Sequence, residues 1–188
     1  MKTTKHMARG FSLLELLLVV GVGAVLILAG LSAYRLVSEG NAATSGVRQL
    51  QTLKQQVQTA FQGQSNYGAA AADMRPTLNT LNLLPGDMTY SAGPPVNLNN
   101  AFSGNTLITV GAAPQTTFLI QMNNVPSSAC NKLGQLFSTT SNSDFVSLKI
   151  GTASPPTVAI AQPPTVAGLA AATACGAAAQ VNMLWEFR

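Results

Sequence analysis

The 188-residue chain contains little charge. Asp, Glu, Lys and Arg make up 9% of its residues, far below the ~25% of an average soluble domain. Ten of its residues are Lys or Arg, but three of these, Lys2, Lys5 and Arg9, fall within the first ten positions. Because no second basic cluster follows, we predict no nucleic-acid-binding surface on this protein. With 47% hydrophobic residues, a chain kept disordered by its charge is also excluded.

Residues suited to catalysis or metal binding are equally scarce. The sequence has one histidine, His6, two cysteines and six scattered acidic residues. A metal centre needs several such ligands close together, and a catalytic triad needs a histidine beside its nucleophile. We therefore predict that the protein is not an enzyme and that it has no cofactor and no metal.

A long apolar run follows the basic residues at the start. Residues 16–34 are 19 consecutive uncharged residues, which as a helix span about 28 Å, close to the thickness of a membrane's hydrocarbon core. The preceding positive charges orient the N-terminus toward the cytoplasm. Two ordinary interpretations are a cleaved secretory signal, with Leu31-Ser32-Ala33 as its cleavage site, and a plain membrane anchor.

Glu15 is the one charged residue between Phe11 and Tyr34. A carboxylate costs roughly 2–3 kcal/mol at the centre of a membrane helix, and less near its end, so a partner is expected. The next basic residue, Arg35, lies about 30 Å away along a helix and cannot pair with Glu15 in the same chain. The partner must therefore come from another chain or from a terminus. A cut between Gly10 and Phe11 would create a positive amine four residues before Glu15.

The segment Gly10-Phe11-Ser12-Leu13-Leu14-Glu15, behind a short basic leader and ahead of an apolar helix, resembles the processing signature of type IV pilins and the related pseudopilins. The resemblance implies cleavage after Gly10 by the prepilin peptidase and N-methylation of Phe11. It also implies that Glu15 neutralises the N-terminal amine of a neighbouring subunit during assembly.

Further partners and locations follow from the same resemblance. It implies a homo-oligomeric helical filament built by an assembly platform, an ATPase and an outer-membrane secretin. The precursor and the unassembled subunit would lie in the inner membrane, and the assembled subunit in an extracellular fibre at the cell surface. The predicted function is that of a major pilin, in a fibre for adhesion, aggregation, motility or conjugation.

The helical pattern continues beyond the apolar run, and no proline occurs in residues 11–74. Val47, Leu50, Leu53, Val57 and Phe61 form one apolar stripe at helical spacing. The polar face is assigned to Arg48, Gln51, Lys54, Gln55, Gln58 and Gln62. We predict one helix over residues 11–62, ended at Gly63, with its stripe packed against the rest of the chain. Gly40 and Gly46 each weaken it by about 1 kcal/mol relative to alanine.

Short strands and turns are predicted downstream, where Ala, Gly, Ser, Thr, Asn and Pro dominate. The strands are Thr106–Val110 and residues 116–122, which form a hairpin, then residues 145–150 and Gln180–Phe187. Short helices are expected at residues 77–84 and from Cys130 to Phe137, the second capped by Ser127 or Ser128. The piece between Pro155-Pro156 and Pro163-Pro164 is expected at an edge.

The predicted fold class is α+β, the type IV pilin fold, in which a long N-terminal helix packs on an antiparallel β-sheet head. The predicted divisions are a cleaved leader (residues 1–10), the membrane half of the helix (11–37), its amphipathic half (38–62) and the head (63–188).

Cys130 and Cys175 are the two cysteines. Both lie in the part predicted to be exported, where an even count favours a disulfide over two buried free thiols. Trp185, beside Leu184, is assigned to the core. By resemblance to pilins, residues 130–175 would face solvent on the fibre.

Two subclasses of pilin share these features. Removing ten residues from 188 leaves 178, and a chain of this size with a long cysteine-bounded segment resembles type IVb pilins, especially the bundle-forming and conjugative thin-pilus group. A ten-residue leader and Phe11 are instead features of type IVa pilins. A minor pilin and a type II secretion pseudopilin share the same N-terminal signature, and a membrane-anchored envelope binding domain is the remote alternative.

Overall fold

The structure is a computed structural model that describes residues 13–137, 144–162, 164–171 and 173–188. The described residues divide into two units, the first ending at Ser38 and the second covering Glu39–Arg188. Gly10 and Phe11, the predicted cleavage site, lie outside the described residues.

The first element is the long helix α1, Leu13–Ala60. It ends two residues before the predicted position, and Gly63 follows with a φ of +83°. Glycine adopts this left-handed conformation without a steric penalty, which suits a position just beyond a helix end. The prediction of one long proline-free helix is confirmed over the described residues.

Three short helices and seven strands follow α1 in the described residues. The helices are α2 (Arg75–Thr80), α3 (Ser127–Gly134) and α4 (Val166–Ala170). The strands are β1 (Thr89–Ser91), β2 (Asn97–Asn99), β3 (Thr106–Val110), β4 (Phe118–Pro126), β5 (Phe145–Gly151), β6 (Val158–Ala159) and β7 (Gln180–Phe187). Strands β1 and β2 were not predicted.

The main sheet has five antiparallel strands in the order β3-β4-β7-β5-β6, and β1 and β2 form a separate pair. The predicted hairpin is confirmed, with Thr106 opposite Met122 and Val110 opposite Phe118. The C-terminal strand β7 lies at the centre, between β4 and β5. Strand β6 lies at the edge, as its flanking prolines predicted. The α+β fold class is therefore confirmed.

The core lies between the stripe of α1 and one face of this sheet. Leu50, Leu53 and Val57 are completely buried, and Val47 and Phe61 pack against them while partly exposed. Burying each such side chain contributes about 1.5–3 kcal/mol to the stability of the fold. The helix therefore packs on the face that carries them, which is the face that the helical spacing predicted.

Trp185 occupies the middle of the core. It is fully buried on β7, where it lies opposite Ile120 of β4 and Leu148 of β5. Val181, Met183, Trp185 and Phe187 are all buried on one face, because every second side chain of a strand points to the same face of the sheet. The assignment of Trp185 to the core is confirmed.

The bounds of α2 differ from the prediction. The helix starts at Arg75 and ends at Thr80, whereas residues 77–84 were expected. The backbone conformation after Thr80 ends the helix. Asn82 has a φ of +53°, and the backbone amide of Leu83 donates to the carbonyl of Leu78. This hydrogen bond satisfies a carbonyl group at the end of the helix. The helix therefore ends four residues before the predicted end at residue 84.

The predicted serine cap of α3 is wrong. Pro126 occupies the N-cap position and no side chain caps the helix. The hydroxyl of Ser128 instead donates to Oε2 of Glu39, at 3.2 Å. The helix also stops at Gly134, so Phe137 lies beyond its end. A contact with α1 therefore takes the place of the local capping that the sequence pattern suggested.

The assignment of Lys54 to the exposed polar face is wrong as well. Lys54 is only 9% exposed. Its Nζ lies 5.5 Å from the ring centres of both Phe137 and Phe187 and 3.4 Å from Oδ2 of Asp144. A lysine can bury its apolar stem against aromatic rings while its ammonium group reaches a carboxylate, so it can lie beside an apolar stripe.

Candidate functional site

The surface of residues 13–38 is apolar and uncovered. Leu13 is 79% exposed, and other large side chains of this segment are exposed by more than half, including Leu17, Leu18, Leu26 and Leu28. By length and composition, α1 is the one helix among the described residues able to cross a membrane. An apolar surface of this extent requires lipid or protein to cover it.

Glu15 lies in the first turn of α1 and is exposed there. No ion pair among the described residues involves it, and the next basic residue along the helix is Arg35. Among the described residues, the structure therefore places a carboxylate within an apolar surface without bringing a cation to it. Since Gly10 and Phe11 lie outside the described residues, the three predicted processing and assembly residues are not seen together.

The predicted disulfide is present. Cys130 of α3 and Cys175 are bonded, their Cα atoms lie 5.6 Å apart, and both are buried. Beside the disulfide, α4 packs on α3 so closely that a Cβ at Gly134 would lie 2.6 Å from Leu169. The bond and this contact hold the segment around α4 against the rest of the Glu39–Arg188 unit.

Asp87 fixes the turn before β1 to the long helix. Its Oδ2 accepts hydrogen bonds from Arg48 at 2.8 Å and Gln49 at 3.2 Å. The Oε1 of Gln49, a buried residue of α1, also accepts from the backbone amide of Ala101. Burial by itself raises the pKa of Asp87, but these hydrogen bonds and the charge of Arg48 outweigh it and hold the pKa below its usual value.

A second buried cluster surrounds Arg75, which is 6% exposed. Its guanidinium forms an ion pair with Asp73 at 2.7 Å and donates to the carbonyls of Val96 and Thr106. Burial by itself raises the pKa of Asp73. The hydrogen bonds and the positive charge of Arg75 lower it by more, so the pKa lies below its usual value. The sequence did not predict this cluster, because Val96 and Thr106 lie more than 20 residues from Arg75 along the chain.

These two clusters join segments of the chain through hydrogen bonds and ion pairs. The part of the chain that the structure describes has no group of three or more His, Cys, Asp or Glu side chains able to hold an ion. The Asp73 and Asp87 carboxylates are instead occupied by arginine and glutamine donors.

Solved structures define the class of fold. A type IV b pilin from Salmonella typhi matches with a TM-score of 0.55 and 21% identity, covering 76% of this chain and 97% of that one. TcpA, a type IV pilin from the El Tor biotype of Vibrio cholerae, matches with a TM-score of 0.50 and 12% identity. This match covers 78% of this chain and 98% of TcpA. The protein thus has the type IV pilin fold.

Family membership is more specific than fold. The model of the PilS family, described as PilS N terminal, matches residues 40–185, and the chain belongs to this family. No curated protein matches the chain. The predicted resemblance to type IV pilins, with a type IVb-like head, is therefore confirmed, and the chain is a pilin subunit of a pilus rather than an enzyme.

Proposed function

We propose that this protein is the major pilin of a type IV pilus, a subunit that polymerises into a surface fibre serving adhesion, aggregation, motility or conjugation. The observation that carries the proposal is the apolar surface of residues 13–38, interrupted near its start by the exposed carboxylate of Glu15. A membrane covers this surface before assembly, and the helices of neighbouring subunits cover it afterwards.

Processing prepares the subunit for this exchange. The prepilin peptidase removes residues 1–10 after Gly10, and the new amine of Phe11 is N-methylated and keeps its positive charge. In the fibre, Glu15 of one subunit pairs with the Phe11 amine of its neighbour, which offsets the cost of placing a carboxylate among apolar helices. The assembly platform, its ATPase and the outer-membrane secretin move the subunit from the inner membrane to the cell exterior.

The contacts in such a fibre are head-to-tail, because each subunit presents its amine to one neighbour and its carboxylate to a different one. A repeated heterologous contact of this kind generates an open helical filament rather than a closed ring. Apolar burial supplies the cohesion, and the charge pair sets the axial register of neighbouring subunits.

The proposal is tested with Glu15→Ala in cells that assemble the fibre, with Glu39→Ala as the matched control at another exposed glutamate of α1. Mass spectrometry of the N-terminal peptide measures cleavage and methylation at Phe11, and electron microscopy of sheared surface material counts fibres. We expect Glu15→Ala to be processed yet to yield few fibres, while Glu39→Ala yields normal numbers.

Abundant normal fibres from Glu15→Ala would contradict the proposed pairing. The proportion of this chain in sheared wild-type fibres, measured by mass spectrometry, tests the assignment as a major pilin. A major pilin is the dominant protein of the fibre, so a trace amount would assign the chain a minor role instead.

A further inference from the structure

An open cleft of about 300 Å³ lies within the Glu39–Arg188 unit, away from Glu15 and from the disulfide. It is formed by the end of α2, the turn at residues 85–88 and strand β1. Its walls carry the amides of Asn79 and Asn82 and the ring of Tyr90, and its floor is lined by Leu84, Pro85 and Met88. The cleft therefore combines an apolar floor with a few polar groups at its rim, as ligand sites commonly do.

The walls of this cleft are fixed before any ligand arrives. The turn is closed by a hydrogen bond from the amide of Met88 to the carbonyl of Pro85, and Asp87 ties it to Arg48 of α1. Tyr90 lies opposite the fully buried Leu98 in the β1–β2 pair and packs against the core. Binding here would order few additional groups, which lowers its entropic cost.

The two amides at the rim are available to a ligand. Elsewhere in this unit, asparagine side chains hold loops: Asn100 accepts from two backbone amides, and Asn105 accepts from Leu98 and Arg75. The side chains of Asn79 and Asn82 make none of the hydrogen bonds found among the described residues, and both residues are exposed. Asn82 also has a φ of +53° at the end of α2, a left-handed conformation that asparagine tolerates better than most residues.

The lining selects the chemistry of the ligand. Among the residues that the structure describes, no charged side chain lines the cleft, so an anion or a cation would lose its hydration without gaining a counter-charge. Each asparagine amide can donate and accept, as a sugar hydroxyl can. An aromatic ring offers an apolar face to the C–H groups of a pyranose.

We propose that the cleft between α2 and β1 binds a neutral hexopyranose, with Tyr90 as the stacking surface and Asn79 and Asn82 as hydrogen-bonding partners of its hydroxyls. This site goes beyond the subunit's role in the fibre and does not depend on assembly. A fibre would repeat the cleft many times, so weak binding to one sugar would become strong binding to a surface that carries many.

The test uses the full chain in a zwitterionic detergent that carries no sugar. Saturation-transfer NMR measures binding of the methyl glycosides of glucose, galactose, mannose and N-acetylglucosamine, with glucuronate as the charged probe. The variants are Tyr90→Ala and the pair Asn79→Ala with Asn82→Gly, glycine being chosen because it accepts a positive φ. Gln55→Ala is the matched control, since Gln55 lines an open polar concavity of α1 that contains no aromatic residue.

We expect the wild type and Gln55→Ala to bind at least one neutral glycoside with millimolar affinity and to bind glucuronate more weakly. Each cleft variant should weaken binding about tenfold or more, equivalent to the loss of one stacking or hydrogen-bonding contact. The fluorescence of Trp185, the one tryptophan and fully buried, verifies folding of every variant. If Tyr90→Ala unfolds the protein, the asparagine pair decides the result.

Three results would overturn the proposal. One is the absence of binding by all four neutral glycosides. Another is equal binding by the wild type and the folded cleft variants. The third is binding of glucuronate as tight as that of the neutral sugars, because it would contradict the selection against charge.

Discussion

Gly46 lies on the buried side of α1, where the ring of Phe102 packs directly against the helix. A Cβ at this position would lie 2.7 Å from the Cζ atom of Phe102. From the sequence alone, Gly46 was only a position that weakens a helix. The structure shows that the missing side chain makes room for an aromatic residue from a distant part of the chain.

We expect Gly46→Ala to lower the free energy of unfolding of the Glu39–Arg188 unit by about 1–3 kcal/mol, the usual effect of overpacking a core. The matched control is Gly40→Ala on the same helix, where a Cβ would have no neighbour within 4 Å. Gly40→Ala should stabilise the helix by up to about 1 kcal/mol. Denaturant unfolding of the full chain in detergent, followed by Trp185 fluorescence, measures both.

Equal effects of the two substitutions would contradict this packing role for Gly46. They would mean that the ring of Phe102 shifts without loss, so that only helix propensity decides the outcome at both positions.

At the scale of elements, the smallest ones depend most on their neighbours. Helix α4 has five residues and strand β6 has two, too few to be stable alone in water. The Cys130–Cys175 disulfide, the Leu169–Gly134 contact and a hydrogen bond from Ser127 to the carbonyl of Ala179 attach this region to α3. The segment that contains β6 and α4 also lacks charge, since no charged residue occurs between Lys149 and Glu186.

Replacing both Cys130 and Cys175 by alanine should lower the stability of the Glu39–Arg188 unit by about 2–5 kcal/mol. The cause in the chain-entropy model is the release of a loop that the bond closes across a sequence separation of 45. Unfolding followed by Trp185 fluorescence, with and without reductant, measures the effect. Reductant should weaken the wild type to the level of the double variant and leave the double variant unchanged.

Unchanged stability in the double variant would contradict a structural role for the bond. A double variant that still responds to reductant would show that the response of the wild type has another origin.

At the scale of the whole molecule, the few charges of the Glu39–Arg188 unit tie segments together. Arg48 with Asp87 attaches the turn before β1 to α1, Lys54 reaches Asp144 near the start of β5, and Arg75 with Asp73 anchors β3 to the segment before β2. Exposed ion pairs contribute little to the free energy of unfolding, but an arginine that is hydrogen-bonded to a partly buried carboxylate contributes more.

This arrangement predicts sensitivity to acid. The pKa values of Asp73 and Asp87 are lowered in the folded protein. A lowered folded-state pKa means that their contribution is fully present above the unfolded-state pKa, about 3.9 for aspartate, and disappears as the pH falls through the folded-state value. The contribution of these two carboxylates should therefore be constant from neutral pH to about pH 5 and decrease below about pH 4.

Unfolding of the full chain at a series of pH values checks this expectation. Asp87→Asn should be less stable than the wild type at pH 7, and its stability should depend less on pH between 5 and 3. Parallel pH curves for the two proteins would remove Asp87 from the acid response.

Much of the fold was predictable because its signals are local. The stripe of Leu50, Leu53 and Val57 repeats at the helical period, and strands β3, β5 and β7 show the alternation or apolar content of strands, so each element could be located from neighbouring residues alone. Errors occurred where a distant contact replaced a local one, as when Ser128 bonded Glu39 instead of capping α3.

Less of the candidate sites was predictable. The sequence singled out Glu15 by its isolation in an apolar run, a signal that needs no tertiary contact. The cleft of Asn79, Asn82 and Tyr90 had no such signal, because its three residues become neighbours only when α2, the turn and β1 fold together.

The amino-acid sequence by itself determined the long helix, its apolar and amphipathic halves, four strands of the sheet and the pair of cysteines available for a disulfide. These features depend on composition and periodicity along the chain. Only the tertiary structure decided that β7 lies at the centre of the sheet, that Lys54 is buried beside Phe137 and Phe187, and that Gly46 admits Phe102. The physical reason is that strand pairing and close packing join residues far apart in sequence. The energies of these contacts cannot be inferred from a pattern of neighbouring residues.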